Sequence, residues 1–224
     1  MLPDWLPWLL QVNDSQFPSG GYAHSHGLEE LVQAGHVADA AGLERFLREQ
    51  LVPALREFEA PFLAEAHRCA AVGDLDGLER RDWELNGWRL PAELRAASVQ
   101  IGSRRLALVQ KLAGDGVAAA YAARGAPNHH LIVCALEMRA ASPETAACAF
   151  AYQSISGHVM AAMKLLRLGQ ERAQGLIRST MMTMVEAISG RCATSGDAVA
   201  GWFNPLVEIA SMRHASAHER IFIS

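Results

Sequence analysis

Residues 39–70 read DAAGLERFLREQLVPALREFEAPFLAEAHRCA. From Asp39, a side chain suited to capping a helix start, Leu43, Phe46, Leu47, Leu51, Leu55, Phe58 and Phe62 recur at three- and four-residue steps as far as about Ala70. Such spacing stacks apolar side chains on one face of an α-helix, whereas a half-buried strand needs strict alternation. Pro53 and Pro61 each remove a backbone donor and crowd the preceding turn, so a kink or a division of this helix is predicted at both.

The same period continues outward in both directions. Toward the amino terminus, Pro18, Gly20 and Gly21 break the chain, and Leu28, Leu31 and Val32 form a short stripe that stops at Gly35. Toward the carboxy terminus, a helix around Leu75 to Leu85 ends near Asn86 and Gly87. Pro91 then suits the first turn of a long helix carrying Leu94, Ile101, Leu108 and Leu112. A short alanine-rich helix follows AGDG (113–116), and RGAPNHH (124–130) opens another through Leu131, Ala135 and Met138.

Ser142 before Pro143 is an N-cap ahead of a first-turn proline, for a helix running to about Leu168. The next spans about Gln170 to Ser189, with Leu176, Ile177, Met181, Met184, Val185 and Ile188 on one side. RCATSGDAVAG (191–201) reads as a flexible connection, and Asn204 with Pro205 starts a last helix. Only RIFIS (220–224) alternates. The expectation is an all-α chain, one helical bundle of roughly eight to ten helices over residues 1–224.

Composition narrows the function. The chain has 224 residues, 50% hydrophobic and 20% charged, which suits one core. A formal charge of −4 with scattered Lys and Arg gives no field for a phosphate backbone, so nucleic acid is not an expected partner. Cys69, Cys134, Cys148 and Cys192 lie far apart without CxxC spacing and read as small buried hydrophobes in a reducing compartment. MLPDWLPWLLQVND (1–14) is apolar but contains Asp4 and two prolines and lacks a basic leader. No run approaches the roughly 20 apolar residues of a membrane span, so a cytoplasmic protein without membrane association is expected.

The stretch richest in chemistry is FPSGGYAHSHGLEE (17–30). His24 and His26 would stand about 200° apart on a helix, so a shared metal ion needs extended backbone there. His36, His67, His129 and His130 form neither HExxH nor an i, i+4 pair. The glycines lack GxxxxGK[ST] and the lysine of a phosphate loop. Ser154, Ser156 and His158 have no nucleophile-elbow context. Glu29, Glu30 and Glu137 lack the Glu-x-x-His repeat of helical di-metal sites. No catalytic constellation and no metal set emerges.

Two features remain. Tyr22 follows a glycine pair among polar residues, a setting that suits an exposed aromatic anchor better than a core side chain. In the tail, Arg213, His214, His218 and Arg220 are interleaved with Met212, Ile221, Phe222 and Ile223. That tail can dock on its own core, or order only against a partner. Met160, Met163, Met181, Met182 and Met184 read more readily as core than as an adaptable binding surface.

These two ends also carry a resemblance. LLQVNDSQFPSGGYAHSHGLEE (9–30) is similar to the LLQ…P-x-G-x-Y-[ST]-x-S-x-G-L-E motif of the urease accessory protein UreF family, through Pro18, Gly20, Tyr22, Ser25, Gly27, Leu28 and Glu29. SMRHASAHERIFIS (211–224) resembles the family's S-M-R-H-E-x-L-Y-S-R-L-F-x-S at Ser211, Met212, Arg213, His214, Arg220, Phe222 and Ser224. AAMKLLRLGQERAQ (161–174) echoes a third motif through Lys164, Leu165, Gly169, Gln170 and Gln174. Ala215, Ala217, His218 and Glu219 depart from the family's tail pattern, and Arg167 replaces a proline before Leu-Gly-Gln.

The resemblance implies an all-helical, dimerising, non-enzymatic chaperone. It implies partners UreD (UreH in some bacteria), the GTPase UreG and apo-urease, with nickel handled by the complex and no cofactor bound stably by this chain. It further implies that residues 1–21 and 211–224 are partner-dependent surfaces. Tyr22, Ser25, Glu29, Lys164, Arg213, His214 and Arg220 are the implied partner-binding residues, with Tyr22 covered on binding and Arg220 organising the surface offered to the GTPase. Pro18, Gly20, Gly27, Leu28 and Gly169 are the implied structural positions. Two alternatives stay open: a regulator of the GTPase cycle using an arginine such as Arg213, and a metal-dependent enzyme using His24 or His26.

Overall fold

The computed structural model describes residues 1–192 and 202–224, and of residues 189–191 the backbone alone. The described residues are helical without a strand, as the apolar spacing predicts. Helices α1 (Leu6–Val12) and α2 (Leu28–Gln33) precede an interrupted helix made of α3 (Ala40–Phe46), α4 (Val52–Ala54) and α5 (Ala60–Val72). Then come α6 (Leu75–Trp88), α7 (Ala92–Ala113), α8 (Gly116–Ala122), α9 (His130–Glu137), α10 (Pro143–Leu165), α11 (Gln170–Arg191) and α12 (Pro205–His214). The stretch predicted as a flexible connection lies, from residue 193 to 201, outside the described residues. No described helix is long and apolar enough to cross a membrane.

The caps are where the side chains place them. Asp39 accepts from the Gly42 amide at 2.8 Å, Asp74 from Gly77 at 2.9 Å, Ser142 from Thr145 at 3.2 Å and Asn204 from Val207 at 3.3 Å. At Pro53 and Pro61 the helical run continues from Ala40 to Val72 instead of dividing. A π-helical turn precedes each proline, over Leu47–Leu51 and Leu55–Glu59, and each proline falls in the first turn of the α-segment that follows. The wider turn absorbs the missing N–H and relieves the ring's clash with the preceding turn, so the apolar face runs on unbroken.

Helix α1 has no clear signal in the sequence, where prolines and an all-round apolar composition hide its period; Val12 is its buried end, and Trp8 Nε1 donates to the Glu137 carbonyl at 3.0 Å. The central element is α9. All residues from Leu131 to Glu137 are buried, as an all-round apolar helix requires, with α5, α7 and α10 packed around it. Gly102 lets α7 lie against the start of α9, because a Cβ there would overlap the Asn128 carbonyl oxygen and come within 2.7 Å of His129.

Two buried polar networks pin this centre. Arg105 of α7 is paired with Glu137 of α9, and its Nη2 donates to the Val12 carbonyl at 2.7 Å, which ties down α1. Burial pushes the Glu137 carboxyl up even with Arg105 beside it. Asp82 of α6 accepts from Tyr121 Oη at 2.7 Å and from the amides of Asn128 and His129 at 2.6 and 3.0 Å, joining α6, α8 and the start of α9. The methionines divide: Met184 is buried, Met163 and Met181 pack against the core, and Met160 and Met182 are exposed. Cys134 and Cys192 are buried, while Cys69 and Cys148 are half-buried; all four are free thiols.

Candidate functional site

The loop between α1 and α2 turns on two glycines. Gly20 has φ of 83° and Gly27 φ of 85°, left-handed values that cost a side chain. Gly27 also lies against α12, where a Cβ would sit 3.2 Å from the Val207 carbonyl oxygen. Between them, Gly21–Ala23 forms a single 3-10 turn, His24 is extended, and the α-helix starts at Leu28. The segment is therefore not helical at His24 and His26, whose rings stand 6.0 Å apart.

Onto this loop folds the end of the chain. The Ser224 carbonyl accepts from the amides of Ser25 and His26, the latter at 3.2 Å, and from Ser25 Oγ at 2.9 Å. Ile223 N donates to the Ala23 carbonyl at 2.8 Å. The alternation read in RIFIS reappears as exposure: Ile221 is 68% and Ile223 56% exposed, but Phe222 is 5% and Ser224 1%. The tail thus docks on its own chain, the first of the two alternatives its composition left open.

Glu29, fully buried, is the hinge of this arrangement. Its carboxylate accepts from the amides of Ile221 at 2.7 Å and Phe222 at 3.0 Å, and stands 3.0 Å from His214 Nε2. Burial alone would raise the Glu29 carboxyl, but the two amides and the imidazole outweigh it and bring it below its ordinary value. The other ring nitrogen of His214 lies 3.0 Å from a carboxylate oxygen of Glu93, at the start of α7. Arg220 Nη1 approaches the same carboxylate at 3.5 Å. Lys164 of α10 closes the far side: Nζ donates to the Tyr22 carbonyl at 3.2 Å and sits 5.8 Å from the Tyr22 ring and 5.0 Å from the Phe222 ring.

Tyr22, Ser25, Glu29, Lys164, His214 and Arg220 are therefore brought together, in two different positions relative to solvent. Tyr22 is 76% exposed and Arg220 and Lys164 are also open, whereas Ser25, Glu29 and His214 are buried and act within the chain. Leu28 is buried beneath them, and Pro18 is exposed where the loop begins. Arg213 stands apart on the outer side of α12, over a groove shared with Glu30, Leu31, Ala34, Leu206 and Ile209. Gly169 is exposed ahead of α11; a Cβ there would meet nothing within 4 Å, and its φ is negative, so nothing at that position requires glycine. Glu93 carries no signal in the sequence, where it reads as an ordinary first-turn acid.

The histidines sort by partner. His129 is a satisfied core imidazole, 3.0 Å from Ser98 Oγ and 3.2 Å from Asn86 Oδ1, and burial takes it down to about 3. His158 engages the Ser154 carbonyl at 2.7 Å, and Ser156 Oγ bonds the Gln153 carbonyl instead of a base. His24, His26, His130 and His158 line one cleft of about 1300 Å³ with Phe46, Phe58 and Trp88, a convergence of histidines from three separate stretches that spacing could not announce. Burial lowers all four imidazoles, and neighbouring positive charges add to the effect at His24, His26 and His130. Among the described residues no three or more His, Cys, Asp or Glu side chains gather as a metal set.

A protein-family model described as UreF matches residues 37–181. Over nearly the whole length, the sequence is similar to proteins named Urease accessory protein UreF. It is 33% identical to that of Azotobacter vinelandii over 221 residues, covering 96% of this chain and 97% of the relative. It is 30% identical to that of Dechloromonas aromatica over 220 residues, covering 96% of each. It is 31% identical to that of Klebsiella pneumoniae strain 342 over 217 residues, again covering 96% of each.

Proposed function

The chain belongs to the UreF family of urease accessory proteins, and from that premise we propose that it is a non-catalytic assembly factor that bridges UreD/UreH and the GTPase UreG. Bridging them couples GTP use to nickel delivery into apo-urease. Nickel is the cargo of that complex, not a resident cofactor of this chain. The protein works in the cytoplasm, as a homodimer.

The observation that carries this reading is the exposure of Tyr22 and Arg220 on one internally braced terminal surface. A large aromatic ring held by a lysine, beside the open side chains of Ile221 and Ile223, offers rigid contact area at low entropic cost. Because the tail is already seated, a partner meets a formed surface and the ordering cost falls on the fold rather than on binding. Docking of the tail, not its disorder, prepares the surface.

The test is capture of tagged chain from a urease-expressing host. Wild-type protein is expected to bring down UreD and UreG; Arg220→Ala is expected to lose UreG while keeping its helical circular dichroism. Recovery of neither protein by the wild type defeats the reading. A second reading, regulation of the GTPase cycle, draws on Arg213, which is exposed and makes no ion pair among the described residues. UreG hydrolysis rates that depend on added chain and fall with Arg213→Ala would favour it over a scaffold.

A further inference from the structure

His214 is fully buried between two carboxylates from different helices. Its Nε2 stands 3.0 Å from Glu29 of α2 and its Nδ1 3.0 and 3.1 Å from the two oxygens of Glu93 of α7. An ionised carboxylate only accepts, so both contacts are hydrogen bonds only when both ring nitrogens carry protons. Glu29 is committed as an acceptor on both oxygens, by the amides of Ile221 and Phe222. The charged groups around the ring are thus Glu29 from α2, Glu93 from α7 and Arg220 from the tail; Arg213, its neighbour on α12, and Glu30 of α2 line the separate outer groove.

We propose that Glu29, His214 and Glu93 form a proton-operated latch for the tail. With His214 doubly protonated the two carboxylates are bridged, the tail is seated, and Tyr22, Arg220, Ile221 and Ile223 share one surface. When the ring gives up a proton, one nitrogen turns a lone pair toward a carboxylate about 3 Å away. The ring then bridges only one of the two carboxylates, and α2, which carries the Glu29 seat of the tail, is no longer tied through His214 to α7, so the tail is held less firmly. For its biological consequence the latch rests on the partner reading above; as a property of the isolated chain it does not.

The latch is tested on the full-length chain alone, by hydrogen exchange of the Ile221 and Phe222 amides expressed as protection over an unstructured reference. At about pH 8.5, relative to about pH 5.5, wild-type protection is expected to be roughly tenfold or more lower, the scale of a lost charge-assisted hydrogen bond. His214→Gln is expected to be weakly protected at both values with an unchanged helical spectrum. Glu93→Gln supplies an amide donor that a neutral ring can accept from, so it is expected to stay protected at both. Equal wild-type protection at the two pH values, or Glu93→Gln retaining the pH dependence, or His214→Gln keeping a protected tail, overturns the latch. Should His214→Gln fail to fold, the wild-type and Glu93→Gln comparison decides alone. Failure of partner capture by a chain whose latch behaves as described would overturn the bridging function and leave the latch standing.

Discussion

Glu29 shows how much one side chain can organise. It is separated by 193 positions from the Phe222 amide it accepts, and by 185 from the ring of His214. Removing it strands the buried Phe222 amide and the part-buried Ile221 amide, so Glu29→Ala is expected to weaken tail docking by about 2–3 kcal/mol, read as lost exchange protection at Ile221 and Phe222. Because its folded carboxyl is lowered, its contribution is fully present above its ordinary value of 4.5 and is lost as pH falls through the lowered one. Acidification below that value is therefore expected to free the tail before the core unfolds, seen as loss of protection confined to the terminus. The resemblance points to Glu29 and His214 as residues that matter. Their position inside the chain, facing each other, is not legible in the sequence, since local spacing carries no information about a contact between residues so far apart.

At the scale of elements, the interrupted helix of α3, α4 and α5 and the crossing of α7 with α9 give opposite lessons. The first is readable almost residue by residue, because seven apolar side chains at helical spacing override two prolines and the backbone yields by widening into π turns. The second is not, because Gly102 looks in sequence like any weak point in a helix. In the fold it is the contact point, with the Asn128 carbonyl where a methyl would go. Gly102→Ala is expected to force α7 and α9 apart and to destabilise the protein by about 1–3 kcal/mol, measurable as a lowered denaturant midpoint with an unchanged m value. An alanine at Gly87, which has open space around it, is the control expected not to destabilise.

Across the whole molecule, the buried Arg105 and Glu137 pair joins α7, α9 and α1 at the centre. Arg105→Ala leaves a carboxylate without its partner in a site that already disfavours charge, and is expected to cost about 3–5 kcal/mol of stability. Replacing both residues by apolar side chains of similar volume is expected to recover much of that loss, since the desolvation cost of each charge disappears with the charge; chemical denaturation of the single and double variants measures both. What the sequence determined by itself is the helical class, the helix starts capped by Asp39, Ser142 and Asn204, and the family, because capping, period and motif are written in neighbouring residues. The tertiary structure alone decided that the tail seats on the loop, that Glu93 and His214 meet, and that four histidines share a cleft. Those depend on packing between elements far apart in the chain, where shape and desolvation select the partner and no local pattern names it.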